Sequence, residues 1–197
     1  MNIQEHLRRR VRASLPEVEE IKNEDLKERV IDAWASALSE SEFEGIEEIP
    51  ASGVPGSPEI KNGTQADHLR GVAQLALAIA ETLEGLFGGL GIDRDLLVAG
   101  ALCHDVGKPY EFSPRNQARW KRSGALTGKP AIRHTVYGVH VALRAGLPEE
   151  VAHIAGAHSG EGQFVARSLI NTIIHHADSA FWQILRGAGA LRTSDDS

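Results

Sequence analysis

Leu96-Leu97-Val98-Ala99-Gly100-Ala101-Leu102-Cys103-His104-Asp105-Val106-Gly107-Lys108 is an apolar run that ends in an adjacent imidazole and carboxylate. The run reads as a buried helix that starts near Asp93 and stops before Gly107. A helix end that delivers His104 and Asp105 together suits a metal. The imidazole offers a neutral nitrogen, and the carboxylate offers two oxygens able to bridge two cations. Taken alone, a His-Asp pair reads as a hydrogen-bonded core pair. What the rest of the chain brings to it decides between the two.

The 197 residues carry a formal net charge of -6 and are 42% hydrophobic, enough for one sizeable core, so one domain with extensions is expected. No stretch of 18 apolar residues occurs, which argues against a membrane span. The start, Met1-Asn2-Ile3-Gln4-Glu5-His6, lacks an apolar signal segment. The single cysteine, Cys103, excludes an internal disulfide and fits a reducing cytoplasm. Its place beside His104 reads as a buried core thiol rather than a nucleophile. Mild acidity argues against a general nucleic-acid binder. Seven of the nine histidines lie after residue 100, a first hint of a metal site.

Leu7, Val11 and Leu15 follow Ile3 at helical spacing, with Arg8, Arg9, Arg10 and Arg12 between them, and read as an amphipathic packing arm with a solvated basic face. Asn23-Glu24-Asp25 opens a second helix through Leu38. Residues 1–49 are therefore expected as an N-terminal helical arm that closes over the site or mediates a homodimer. Residues 50–63 hold three prolines and three glycines and are expected as a linker loop. Thr64 is an N-cap for a helix over 65–87, on which His68 faces the core with Gly71 leaving room beside it. Residues 109–132 show no clear periodicity and are expected as a long irregular lid or binding loop. The span 109–133 is also the basic part of the chain: Arg115, Arg119, Lys121, Arg122, Lys129 and Arg133 stand against one acid, Glu111. Trp120 sits in it and could line a pocket. Further helices are expected over 132–145, from Pro148 to His158, and over 164–186, followed by a flexible tail, 187–197. No strands or repeats are expected.

His68, His104-Asp105, His134, His158 and Asp178 each fall on a different helix or helix end, at spacings of 36, 30, 24 and 20 residues. Each gap holds one helix and a turn, so antiparallel packing can bring them to one centre. Asp178 lies on a core face, where an isolated carboxylate is costly without a cation.

This order, with Leu102-Cys103-His104-Asp105-Val106-Gly107-Lys108 as its most specific piece, resembles the HD-domain superfamily of metal-dependent phosphohydrolases over residues 64–186. The resemblance implies an all-α helical bundle and, because His134 and His158 are present, the dinuclear branch. One metal would be held by His68, His104, Asp105 and Asp178, the other by His134, His158 and a bridging Asp105. Imidazole-rich ligation suits two divalent transition-metal ions, Fe, Mn, Ni, Co or Zn, better than Mg. Two cations about 3.5–4 Å apart can share a bridging hydroxide and polarise a phosphoryl oxygen. The expected substrate is a small anionic phosphate ester or nucleotide. Asp105 and Lys108 are expected to be catalytic, and Lys108 and Arg133 to contact the anion. Glu161 reads either as an acid-base group or as a loop acid. His175, one turn before Asp178, reads as supporting the site, whereas His140, His153 and His176 are rotated away from it. Some HD proteins use the same six ligands as a di-iron oxygenase that cleaves a carbon bond. The Tyr that precedes the first His in phosphonate-cleaving members is absent from residues 59–67. A non-phosphate hydrolase or lyase using the same metals, and a binding or regulatory module with a dead site, are the remaining alternatives. The Gly-Tyr-Pro signature of the cyclic-dinucleotide branch is also absent.

Overall fold

The computed structural model describes residues 3–123, 128 and 130–192. In chain order its helices are α1 (Ile3–Ser14), α2 (Glu24–Ser39), α3 (Gln65–Phe87), α4 (Arg94–Cys103), α5 (Lys108–Phe112), α6 (Pro114–Arg122), α7 (His134–Arg144), α8 (Glu149–Ala157) and α9 (Leu169–Gly187). Short 3-10 turns lie at Pro16–Glu20, Ile46–Glu48 and Gly160–Phe164. Among the described residues there is no strand, only isolated bridges between Ser52 and Glu59 and between Ile60 and Leu191. The fold is all-α, as expected.

Short polar side chains set where the long helices begin, because each accepts from a backbone N–H that would otherwise lack a partner. Asn23 caps α2 through Leu26 N at 3.1 Å. Asp93 caps α4 through Leu96 N at 3.0 Å, and Ser168 caps α9 through Asn171 N at 3.0 Å. Thr64 and Asp67 form a reciprocal capping box on α3. Because the cap is Ser168, the last helix starts at Leu169 rather than 164, and a 3-10 turn precedes it.

α4 is the centre of the bundle. Its residues Leu97 to Cys103 are all buried, and α2, α3, α8 and α9 pack around it. Leu7, Val11 and Leu15 from the N-terminal segment and Val30, Trp34 and Leu38 of α2 lie in the same buried cluster as Leu69, Leu97, Leu102 and Ile174. Trp34 is fully buried, and its indole N–H donates to the Leu102 carbonyl at 2.8 Å. That bond occupies an acceptor at the α4 terminus, one residue before Cys103 and two before His104. Three arginines of α1 are taken up by acids: Arg8 by Glu28 and Asp32, Arg10 by Glu47 and Glu48, Arg12 by Glu19 and Glu28.

Of the stretch expected as an irregular lid, 109–132, the described residues are largely helical. α5 and α6 are only five and nine residues long, too short to show a 3.6-residue pattern. Ser113 caps α6 through Asn116 N at 3.2 Å, with Pro114 at its first position. Trp120 on α6 is buried. Lys129, expected among its cations, lies outside the described residues. The 50–63 segment runs against the end of the chain: Lys61 N donates to the Ala190 carbonyl at 2.9 Å and Arg192 N to the Glu59 carbonyl at 2.7 Å. Ala51, Ile60 and Leu191 form a small second core against Phe181, Trp182 and Leu185. Of the tail 187–197, residues 193–197 lie outside the described residues. Among the described residues no helix is long and apolar enough to cross a membrane.

Candidate metal centre

Asp105 stands at the turn between α4 and α5, and close packing fixes that turn. A Cβ on Gly107 would lie 2.0 Å from the His134 carbonyl oxygen, so only glycine lets the turn meet the first residue of α7. His134 is thereby brought beside Asp105. The room beside Gly71 on α3 is filled by the Phe181 ring, which a Cβ there would meet at 2.6 Å. α9 thus lies close against α3, and its Asp178 comes within reach of His68.

The two oxygens of Asp105 face different partners. Oδ2 lies 3.2 Å from His68 Nε2 and 3.4 Å from His104 Nε2. Oδ1 lies 3.4 Å from His134 Nε2 and 3.7 Å from His158 Nε2. Asp178 Oδ1 is 3.5 Å from His68 Nε2, and His68 Nε2 is 3.1 Å from His104 Nε2. All four imidazoles and Asp105 are buried. The six expected ligands therefore share one centre. Two sets within it bring donor atoms within 4.8 Å of one another: His68, His104 and Asp178, and His104, Asp105 and His158.

Three of the four imidazoles are held by their far nitrogens. His104 Nδ1 donates to the Ala101 carbonyl at 2.6 Å, and His158 Nδ1 points at the Ile154 and Ala155 carbonyls, each at 3.2 Å. His134 Nδ1 bonds the Glu111 carboxylate, which also accepts the His134 backbone N–H at 2.7 Å. A carbonyl can only accept, so in the neutral ring the proton sits on Nδ1 and the lone pair on Nε2. Three Nε2 lone pairs thus converge on one carboxylate. That tautomer and its outer partner are what metal-ligating histidines require. Among the described residues the buried Asp178 Oδ1 atom has no hydrogen-bond partner, an acceptor left for a cation. The donor set fits a divalent transition metal.

Burial disfavours charge here, and neighbours decide each case. Burial lowers the pKa of His68. At His158 burial, with the charge of His104 beside it, brings the value down to about 3. At His104 burial works against protonation, but the adjacent Asp105 carboxylate outweighs it and raises the pKa. Burial alone would raise Asp105, yet the Lys108 ammonium and His104 hold it well below the usual carboxylate range. Cys103 is buried in apolar surroundings that push its thiol pKa up, so it is no nucleophile.

A cavity of about 330 Å³ opens on the centre, lined by Asp105, His134, His158 and Asp178 together with Lys108, Arg133, Trp182 and Arg186. The Lys108 ammonium is buried 2.8 Å from Asp105 Oδ2 and donates to the Ser52 carbonyl at 2.7 Å and to Gln65 Oε1 at 3.2 Å. Arg133 pairs with Glu111 at 2.8 Å and with Glu161 at 2.9 Å. Glu161 also accepts from Ser159, and its carboxyl is held at about 2: its hydrogen bonds to Ser159 and Arg133 outweigh burial, so it stays ionised rather than acting as an acid. His175 donates from Nδ1 to the His158 carbonyl at 2.5 Å, the supporting position expected of it. His140 and His176 are exposed.

Glu111, Gln65 and Ser52 were not among the expected site residues. Glu111 is fully buried and orients His134. Gln65 donates to Asp105 Oδ2 at 2.9 Å. Glu111 carried one visible signal, as the lone acid in a basic stretch; the other two carried none.

The family model described as HD domain matches residues 66–180. A protein of Methanocaldococcus jannaschii named dihydroneopterin 2',3'-cyclic phosphate phosphodiesterase is 28% identical over 169 residues, which cover 82% of this chain and 65% of that protein. A tRNA (cytidine(56)-2'-O)-methyltransferase of Thermoplasma volcanium is 26% identical over 129 residues, covering 58% of this chain and 31% of that protein. The chain thus spans less than two thirds of the length of either relative. No solved structure matches.

Proposed function

The chain belongs to the HD domain family, and from that premise we propose that it is a metal-dependent phosphohydrolase acting on a small phosphate ester through two divalent transition-metal ions. One would be held by His68, His104, Asp105 and Asp178, the other by His134, His158 and Asp105. The observation that carries this is the division of the Asp105 oxygens, Oδ2 toward His68 and His104, Oδ1 toward His134 and His158. The relative named as a cyclic phosphate phosphodiesterase favours a phosphodiester, a cyclic one included, as the substrate class.

Bound at these ligands, two such ions would supply an acidified water and a Lewis acid for the phosphoryl oxygen. The chain's own residues do the rest. Lys108 and Gln65 keep Asp105 ionised and fix its plane. Glu111 holds the His134 ring with its lone pair inward, and the α8 carbonyls do the same for His158. Trp182 screens the centre from bulk water, with its ring 4.9 Å from that of His68. Lys108 and Arg133 line the cavity that would take the ester, each already paired with acids of the protein.

The test is elemental analysis of the reconstituted protein, paired with phosphate-ester turnover using p-nitrophenyl phosphate, bis-p-nitrophenyl phosphate and a 2',3'-cyclic nucleotide. About two metals per chain and oxygen-independent hydrolysis that Asp105→Ala abolishes are expected. Bound iron with oxygen consumption and no ester hydrolysis would replace this function with the oxygenase.

A further inference from the structure

Three cations line the cavity, and two are already answered by the protein. Lys108 is ringed by Asp105, the Ser52 carbonyl and Gln65, and Arg133 is held between Glu111 and Glu161. Arg186 is the third. It is exposed, and among the described residues its guanidinium has no side-chain or carbonyl partner. Among the described residues, its charge is therefore the one on this cavity left for a ligand.

Asp178, Trp182 and Arg186 follow one another at four-residue steps along α9, on a single face. Four residues of helix rise about 6 Å, so that face runs from a metal-ligating carboxylate through an indole to a guanidinium over about 12 Å. Helical side chains lean towards the helix N-terminus, which carries Arg186 back over Trp182 towards the centre. Trp182 is itself fixed by the Ala51–Ile60–Leu191 core behind it. A cation in the last turn of a helix is favoured by the helix dipole at any position there. The dipole does not account for this one facing the cavity.

We propose that Arg186 is the substrate-anion contact of this site, binding the non-bridging oxygens of the phosphate ester while Trp182 forms the wall against its organic part. The guanidinium fork suits two oxygens of one phosphate better than an ammonium does. The substrate class rests on the phosphohydrolase function; the anion site itself does not.

The experiment uses metal-loaded wild type, Arg186→Ala, Arg186→Lys and Trp182→Ala, with inorganic phosphate binding by calorimetry, KM and kcat on bis-p-nitrophenyl phosphate, and thermal melting. For Arg186→Ala, the phosphate Kd and the KM should both rise about tenfold or more, the loss of a charge-assisted hydrogen bond, while kcat stays within about threefold. Arg186→Lys should recover part of this. Trp182→Ala should raise KM and leave phosphate binding unchanged. Phosphate binding equal in wild type and Arg186→Ala, with or without a lower melting temperature, would overturn the proposal and confine Arg186 to the helix end. Absence of phosphate binding to wild type would overturn it too. If wild type hydrolyses no ester, the phosphohydrolase function falls, and the calorimetric arm alone still decides whether Arg186 holds an anion.

Discussion

The two sides of Asp105 are built differently. On the Oδ2 side, His68, His104 and Asp178 come from α3, the end of α4 and α9, the helices that form the apolar core. Their outer partners are sparse: the Ala101 carbonyl holds His104, while among the described residues His68 Nδ1 has none. On the Oδ1 side each ring hangs from polar groups. His134 hangs from Glu111, which is tied through Arg133 to Glu161, and His158 is held by carbonyls on one side and gripped by His175 on the other. Helix packing sets the ligands of the first side, with Lys108 and Gln65 on Oδ2 itself; on the second a chain of charges sets His134 and backbone carbonyls set His158. The first should tolerate polar substitutions around it and fail when packing fails. The second should behave in the opposite way.

The largest effect should come from the residue both sides share. Asp105→Ala should remove both metals and lower turnover by on the order of 10^3-fold, the upper range for loss of one electrostatic group. It also strands the buried Lys108 ammonium, a cost of about 3–5 kcal/mol. Elemental analysis and urea unfolding of the same samples would separate the two losses. Retention of two metals per chain would break the picture of a shared carboxylate. Next, Asp178→Asn should cost about one metal equivalent at limiting metal, with activity down by about 100-fold, and should leave the Oδ1 side loaded. Glu111→Gln should do the converse. His134 loses its outer carboxylate, metal affinity on that side falls by about 10–100-fold, and the other equivalent stays. If both variants shed the same ion, the sides are not separable.

That contrast also separates what was legible from what was not. The Oδ2 side could be read from the chain because its residues sit in long helices. Thr64 marks the start of α3, Asp93 that of α4, and His68 and Asp178 fall on apolar faces of clear 3.6-residue period. His134 and His158 were visible as residue types at suitable spacing, but what holds them was not. Glu111 lies on the five-residue α5, where periodicity has nothing to work on. Ser113-Pro114, the start of α6, is a helix-start signal that the reading of that stretch passed over. Ser52 reaches Lys108 through its carbonyl, which no side-chain pattern encodes. Lys108 read as a free cation because its three acceptors come from two other segments and its own turn.

The smallest effect should appear in acid, on the Oδ1 side. Glu161 has a folded-state value of about 2, below the ordinary carboxylate value of 4.5, because Ser159 and Arg133 stabilise its charge against the cost of burial. A depressed carboxylate contributes stability above its unfolded value and loses it as the pH falls through its folded value. Its share is therefore complete above about pH 5 and lost progressively between about pH 4.5 and 2. Other paired carboxylates titrate as well, so the informative quantity is the difference between metal-free wild type and Glu161→Gln. The unfolding midpoints of the two should differ at pH 6 and converge by pH 2. A gap between wild type and Glu161→Gln that persists unchanged to pH 2 would mean that the Glu161–Arg133–Glu111 chain does not brace the Oδ1 side through charge.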